Sequence, residues 1–264
     1  MIDFYNHLPD VMIFMHSERY QWHNDDPIYS KWRVLHQTGQ YVTADRGLDG
    51  VSLLQNLQLP FIVSEGYANL RCVWTFGCPS ELRLDLDQYN ETDRAFKTTQ
   101  AYPQAFQELF LGEKVPSTVS VACCSQFALT REKVHEKPLE DYQRYRQWLL
   151  DTPLENYTSG RVFEYSLHII FGRPPVHCPS AKDCYCNAFG LCNLECEGDN
   201  RCGERWPFPP HARLPKEWPM IGWDREIRDQ ESLELLRHVA TRPTKEVGRN
   251  DLQTASTPYS SHRA

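Results

Sequence analysis

The feature that most constrains this chain is a short apolar run that stops abruptly in a cluster of polar side chains. Leu8 and Pro9 form a turn signal, since the residue before a proline is pushed out of the helical region. Residues 11–15 (VMIFM) then have the length and composition of a β-strand buried on both faces. In open α/β sheets, ligands bind just beyond the carboxyl ends of the strands, so the residues that follow are the first candidates for a functional site. The alternative is a solvated loop around a buried Trp22. The polar cluster comprises His16, Ser17, Glu18, Arg19, Trp22, His23, Asn24, Asp25 and Asp26.

The composition indicates a globular protein with an excess of acidic residues. The chain has 264 residues, of which 41% are hydrophobic and 12% aromatic, and its formal net charge is −7. This charge argues against non-specific nucleic-acid binding, which depends on cations that neutralise phosphates, although a local basic groove stays compatible with it. No apolar run approaches the roughly 18 residues of a membrane span, and no signal peptide opens the chain. We therefore predict a cytoplasmic protein that makes no membrane contact.

Other segments alternate between strand and helix patterns. Residues 69–75 and 119–129 are rich in apolar and β-favouring side chains, whereas residues 51–59 and 139–150 have apolar side chains at helical spacing. This alternation predicts an α/β protein whose open sheet, mixed or mostly parallel, is flanked by helices. Residues 1–7 read as the end of a helix, although a doubly wound sheet normally begins with a strand, so we expect an N-terminus that starts late.

A second dense stretch, residues 159–171, combines a helical apolar stripe with titratable side chains. Arg161, Glu164 and His168 follow one another at intervals of three and four residues, so on one helix they share a face and hydrogen-bond in series. A carboxylate that fixes the tautomer of a histidine makes a general acid–base pair. The alternative is a helix-surface ion pair beside a histidine with a structural role.

Six of the ten cysteines lie between positions 178 and 202. This segment has too few apolar residues for a core of its own, so disulfides are expected, with the pairing left open. Zinc is the alternative, although the segment lacks the paired C-x-x-C spacing of zinc knuckles. The neighbours Cys123 and Cys124 are expected to pack as small apolar side chains. The predicted organisation is an α/β catalytic-type domain over 1–175, a Cys-rich segment packed on the core over 176–223, and a helical, then disordered tail over 224–264.

The residues by themselves do not indicate a cofactor. No phosphate-cradling glycine loop or dinucleotide fingerprint occurs in the sequence. Asp85-Leu86-Asp87 resembles the acid-any-acid triplet with which some sugar-nucleotide enzymes hold a divalent cation, but three-residue matches arise by chance. We therefore expect no cofactor, and a divalent cation only if the protein uses a sugar nucleotide.

Five longer motifs carry a resemblance to a known family. They are FMHSERYQWHNDDP (14–27), NLRCVWTFGCPSE (69–81), VACCSQFALTREK (121–133), SGRVFEYSLHIIFG (159–172) and VHCPSAKDCYCNAFGLCNL (176–194). Together they resemble a fungal family described as a domain of unknown function, some of whose members are arginine-containing cyclodipeptide synthases. The resemblance implies a GT-A glycosyltransferase-like fold. It also implies synthesis of cyclo-arginine-Xaa dipeptides from arginyl-tRNA and a second aminoacyl-tRNA, for fungal secondary metabolism.

This activity would assign roles to the polar residues. An α-amine must lose a proton and attack an aminoacyl ester, so a general base and donors for the oxyanion are needed. The predicted catalytic residues, with either histidine as the base and a carboxylate to orient it, are His23, Asp25, Asp26, Glu164 and His168. The predicted substrate-binding residues are His16, Glu18, Arg19, Trp22 and Arg161. The carboxylates that could pair with the arginine guanidinium are Glu18, Asp25, Asp26 and Glu164. Ser17 and Ser125 are candidate nucleophiles by position alone.

Two other functions fit the same residues. A GT-A-like glycosyltransferase would hold a divalent cation through Asp85 and Asp87, or through Asp25 and Asp26, and would lose activity in a chelator. A non-catalytic family member would keep an interaction or stability role, and would bind neither tRNA nor nucleotide.

Overall fold

The computed structural model describes residues 1–17, 19, 23–25, 32–35, 41–44, 49–74, 77–85, 96–196, 198–202, 220–221, 227 and 229–230. A 3-10 helix, Ile2–His7, opens the chain. The strands in these ranges are β1 (Val11–Phe14), β2 (Trp32–Leu35), β3 (Tyr41–Ala44), β4 (Tyr67–Asn69), β5 (Leu82–Arg83), β6 (Thr118–Val121), β7 (Phe127–Thr130) and β8 (Val176–His177). The helices are α1 (Gly50–Asn56), α2 (Leu59–Glu65), α3 (Phe96–Leu109), α4 (Arg131–His135), α5 (Leu139–Asp151), α6 (Asn156–Glu164), α7 (Leu167–Ile170) and α8 (Ala181–Phe189). Nearly all of the predicted tail, 224–264, lies outside the described residues.

The described strands form three small sheets instead of the single open sheet that the sequence predicts. The first has the antiparallel order β1-β7-β4, and the second pairs β2 with β3, also antiparallel. In the third, of order β5-β6-β8, the pairing of β6 with β8 is the one parallel pairing among the described strands. A mixed α/β fold with helices around its sheets is therefore confirmed, whereas the described sheets are mostly antiparallel rather than mostly parallel.

Three strand predictions needed correction. In the described part of the strand predicted over 69–75, only Asn69 lies in a strand, as the last residue of β4. Strand β1 forms where expected, but among the described strands it pairs with β7 alone, and its Ile13 and Phe14 are 39% and 37% exposed, so it is not buried on both faces. The predicted strand over 119–129 is two strands, β6 and β7, which belong to different sheets and are joined by a turn at 122–126. An apolar run does not reveal a turn in its middle when the turn itself is buried.

Helix boundaries follow local signals in two cases. Asp49 caps α1, because its side chain accepts a hydrogen bond of 2.9 Å from the Val51 N–H. Thr130 caps α4 in the same way, because its hydroxyl oxygen accepts a hydrogen bond of 3.2 Å from the Lys133 backbone N–H. In the described part of the chain, no helix is both long enough and apolar enough to cross a membrane.

The helix predicted over 159–171 is broken into α6 and α7. The break lies at Tyr165 and Ser166, where the hydroxyl of Tyr102 donates to the Tyr165 carbonyl oxygen at 3.0 Å. The hydroxyl of Ser166 donates to the carbonyl oxygen of Val162 at 2.7 Å. These side chains compete for the carbonyl oxygens that a continuous helix would use, which bends or ends a helix.

The apolar core has two parts, on either side of strand β7. Phe127 and Leu129 point into a cluster formed with α3, α5, α6 and α7. Ala128, between them, points into a second cluster formed with α1, α2 and α8. Because successive strand residues face opposite sides, β7 is buried on both faces and connects the two clusters.

All ten cysteines form disulfides. Two long-range bonds, Cys72–Cys184 and Cys78–Cys178, fasten the Cys-rich segment to the core. The others are Cys123–Cys124, Cys186–Cys192 and Cys196–Cys202. Cross-linking of the Cys-rich segment was predicted correctly, although two of its six cysteines pair outside it. Since disulfides persist mainly in oxidising compartments, the predicted cytoplasmic location is not confirmed.

Candidate functional site

The candidate site forms where strand β1 ends beside the beginning of strand β7. These strands are antiparallel, and Phe14 at the end of β1 pairs with Phe127 at the start of β7. The residues that follow Phe14 therefore meet those that precede Phe127. The backbone N–H of His16 donates to the side-chain oxygen of Gln126 at 3.0 Å, and the His16 Nε2 atom lies 3.2 Å from the carbonyl oxygen of Cys124. The register of one strand pair thus brings the polar loop onto the turn before β7.

His16 and His23 form a stacked pair in this site. Their ring centroids are 4.1 Å apart, and the ring planes are inclined by 16°. Burial, and then electrostatic repulsion from His16, Arg71 and Arg161, lower the pKa of His23 from 6.5 to about 4. His23 is therefore neutral at pH 7, and burial makes it a weaker base than a free imidazole.

Glu164 reaches the same turn from the end of helix α6. One carboxylate oxygen accepts a hydrogen bond of 2.7 Å from the Cys124 N–H, and the other accepts one of 3.1 Å from Arg161. The Glu164 side chain is 15% exposed. The predicted contact between Arg161 and Glu164 is thus confirmed, and the structure brings both residues to the turn that His16 contacts.

Gln126 fixes the two histidine segments relative to each other. Its buried side chain accepts from the His16 backbone N–H and donates to the carbonyl oxygen of His23 at 2.7 Å. Arg71, which is also buried, donates to the carbonyl oxygen of Asn24 at 2.8 Å. Neither Gln126 nor Arg71 was predicted from the sequence. The available signal was a glutamine or an arginine inside an apolar run, since a buried polar side chain needs a partner.

Two predicted site residues, Asp25 and Arg19, make hydrogen bonds that hold the loop in place. Asp25 is buried, and its carboxylate accepts hydrogen bonds from the Tyr185 hydroxyl at 2.7 Å and the Cys72 N–H at 2.6 Å. Arg19 makes two hydrogen bonds of 2.9 Å to Asp49, the cap of α1. A carboxylate enclosed in this way is poorly placed to bind a guanidinium or a cation. Asp25 instead fixes the position of the loop through these two hydrogen bonds.

His168 does not pair with Glu164, contrary to the predicted series. Its side chain is fully buried, and its Nε2 atom donates to the carbonyl oxygen of Pro175 at 3.0 Å. The other ring nitrogen has no hydrogen-bond partner among the described residues. Because the helix breaks after Glu164, the two side chains no longer follow one helical face. This placement of His168 favours the structural role that the sequence left as the alternative.

Part of the predicted site lies outside the described residues, namely Glu18, Trp22, Asp26 and Asp87. Asp85 is described, and it pairs with Arg83 at 3.5 Å on the surface. Across the described ranges, no three His, Cys, Asp or Glu side chains form a group that could hold a metal ion.

Comparison with known proteins gives one match. The sequence profile of a family described as "Protein of unknown function (DUF3431)" matches residues 1–187, which is more than half of the chain. No curated protein and no solved structure matches the chain significantly. The predicted resemblance to a domain of unknown function is confirmed, and the protein belongs to the DUF3431 family.

Proposed function

We propose that the protein is an aminoacyl-tRNA-dependent cyclodipeptide synthase that joins arginine to a second amino acid, with His23 as the general base. One support is the resemblance of five sequence motifs to a family that contains such enzymes and is expected to have a GT-A-like fold. The observation that carries the proposal is that a neutral histidine, His23, stacks on His16 beside the turn to which Glu164 is bonded.

The proposed reaction consists of two attacks by amines on esters. First, the α-amine of one aminoacyl-tRNA loses a proton and attacks the ester carbon of the other. The ester C–O bond breaks, and the departing tRNA oxygen takes a proton. The remaining α-amine then attacks the remaining ester in the same way and closes the diketopiperazine ring. One group that accepts and returns a proton can serve both steps.

The basicity of His23 would depend on the bound substrate. In the free protein, burial and then electrostatic repulsion from His16, Arg71 and Arg161 hold its pKa at about 4. The phosphates of a bound tRNA would offset the repulsion from the two arginines and raise the pKa of His23, whereas burial, the largest cause, would stay in place. Substrate binding would therefore make His23 more basic than it is in the free protein.

Glu164 is the proposed partner of the substrate arginine. Its carboxylate already accepts a hydrogen bond from the guanidinium of Arg161, and a guanidinium suits bidentate pairing with a carboxylate. The Cys124 N–H holds one of its oxygens in place. In the proposed complex, the substrate guanidinium replaces Arg161, which turns toward a tRNA phosphate.

Consumption of labelled arginyl-tRNA by the purified protein tests this proposal. His23→Gln should lower kcat/KM by at least about a hundredfold, the lower end of general-base contributions. His135→Gln is the matched control, because His135 is exposed and bonded to the Tyr5 carbonyl oxygen, and it should act like the wild type. Equal rates in both variants would refute the role of His23, and no consumption by the wild type would refute the synthase.

A glycosyltransferase that uses a sugar nucleotide is the second candidate, and the disulfides favour it. Disulfides persist in oxidising compartments, where many glycosyltransferases work, whereas aminoacyl-tRNAs are made in the cytosol. Alkylation of the protein isolated from its native cells, without prior reduction, distinguishes the synthase from the glycosyltransferase. Ten reactive thiols would favour the synthase, and blocked cysteines would favour the glycosyltransferase. A chelator should also abolish cation-dependent sugar transfer and spare aminoacyl transfer.

A further inference from the structure

A disulfide between sequence neighbours, Cys123 and Cys124, lies within the candidate site. The other four disulfides join cysteines that are between 6 and 112 positions apart. A disulfide stabilises a fold largely by closing a loop in the unfolded chain, and this effect grows with loop length. The vicinal disulfide closes no such loop. It therefore stabilises the fold least of the five disulfides. Stabilisation of the fold does not explain why this disulfide lies in the candidate site.

The backbone of Cys124 positions two side chains of the site. Its N–H donates to Glu164 at 2.7 Å, and its carbonyl oxygen lies 3.2 Å from the His16 Nε2 atom. These contacts occur with φ at 90° for Cys124 and 50° for Ser125, a region that residues other than glycine adopt rarely and at a cost. The covalent ring formed with Cys123 restrains this backbone. The oxidation state of the pair therefore bears directly on where Glu164 and His16 lie.

We propose that Cys123–Cys124 is a redox-active site whose reaction partners are dithiol reductants, and that its reduction releases Glu164 and His16 from the turn. A thiolate of the reductant attacks one sulfur, and the other cysteine sulfur leaves and takes a proton. The second thiol of the reductant then displaces the first cysteine. Two electrons and two protons pass to the protein, and the reductant becomes a disulfide.

The reduced turn can relax toward negative φ, which carries the Cys124 N–H and carbonyl group away from the two side chains. Each of the two cysteines is 4% exposed, and their turn is buried except at the half-buried Ser125, with the exposed His16 in contact with it. This inference does not depend on which reaction the site performs, so it can be tested without a substrate.

Graded dithiothreitol under native conditions, followed by alkylation and peptide mapping, reports the state of each disulfide. Imidazole NMR signals of His16 and His23 report the geometry of the site. We expect two alkylated thiols at positions 123 and 124 while Cys72–Cys184 stays oxidised and the helical circular dichroism is unchanged. The His16 signal should move with this reduction and return on reoxidation. Opening of the pair only together with unfolding, or opening without movement of the His16 signal, would overturn the proposal.

Two double variants test whether the change in the His16 signal depends on the Cys123–Cys124 disulfide. Cys123→Ser with Cys124→Ser should show the shifted His16 signal without reductant and should not respond to it. Cys186→Ser with Cys192→Ser removes another short-range disulfide and should keep the wild-type response. If the first variant does not fold, reduction and reoxidation of the wild type decide the question.

Discussion

Burial of neutral His168 should make the fold sensitive to acid. Its side chain is fully buried, and its pKa is lowered from 6.5 to about 4, first by burial and further by His177, although the Pro175 hydrogen bond opposes this. Between these two pH values the unfolded chain binds a proton that the folded protein does not. The contribution of His168 to stability is therefore complete above about pH 6.5 and is lost as the pH falls toward 4. At about 1.4 kcal/mol for each pKa unit, the loss is about 3 kcal/mol.

The variant His168→Gln isolates this effect. A glutamine amide nitrogen can replace Nε2 as the donor to the Pro175 carbonyl oxygen, but it does not titrate. When the pH is lowered from 7 to 4.5, the free energy of unfolding measured in urea should fall by about 2 kcal/mol more in the wild type than in this variant. His135→Gln, at an exposed histidine, should follow the wild type. Equal losses in the wild type and His168→Gln would show that His168 is not held neutral in the fold.

Urea unfolding at pH 7 checks three further predictions. Gly77→Ala should lower the free energy of unfolding by at least about 3 kcal/mol, because φ is 125° and an added Cβ would collide with the Val121 carbonyl oxygen. Gly160→Ala should raise the free energy of unfolding by about 0.5–1 kcal/mol, because nothing lies within 4 Å of an added Cβ there. Tyr185→Phe removes one donor to buried Asp25 and should cost about 1–3 kcal/mol. Unchanged stability in Gly77→Ala or Tyr185→Phe would contradict the backbone or the hydrogen bond described, and a less stable Gly160→Ala would contradict the open space there.

Local sequence patterns were sufficient for part of the fold. An apolar run followed by polar residues located β1, because strand length and composition are local properties. Helical spacing similarly located α5, whose Tyr142 and Tyr145 are buried. The ion pair between Arg161 and Glu164 was predictable because both lie within one turn of α6.

Features that depend on distant partners were not predictable. Nothing near Cys72 indicates that it pairs with Cys184, 112 positions away. The separation of Glu164 from His168 depends partly on Tyr102, which bonds to the carbonyl oxygen between them from another helix. Gln126 owes its role to the register of β1 against β7, which brings His16 to it from 110 positions away. In each case, tertiary contacts override a local pattern.

The most direct test of the proposed function is mass spectrometry of the small molecules formed when the purified protein is incubated with arginyl-tRNA and a mixture of other aminoacyl-tRNAs. The account predicts a cyclic dipeptide that contains arginine, formed by the wild type and by His135→Gln and absent from His23→Gln. The mass of this product would identify the second amino acid. Absence of any cyclic dipeptide from the wild type, while arginyl-tRNA stays intact, would contradict the account.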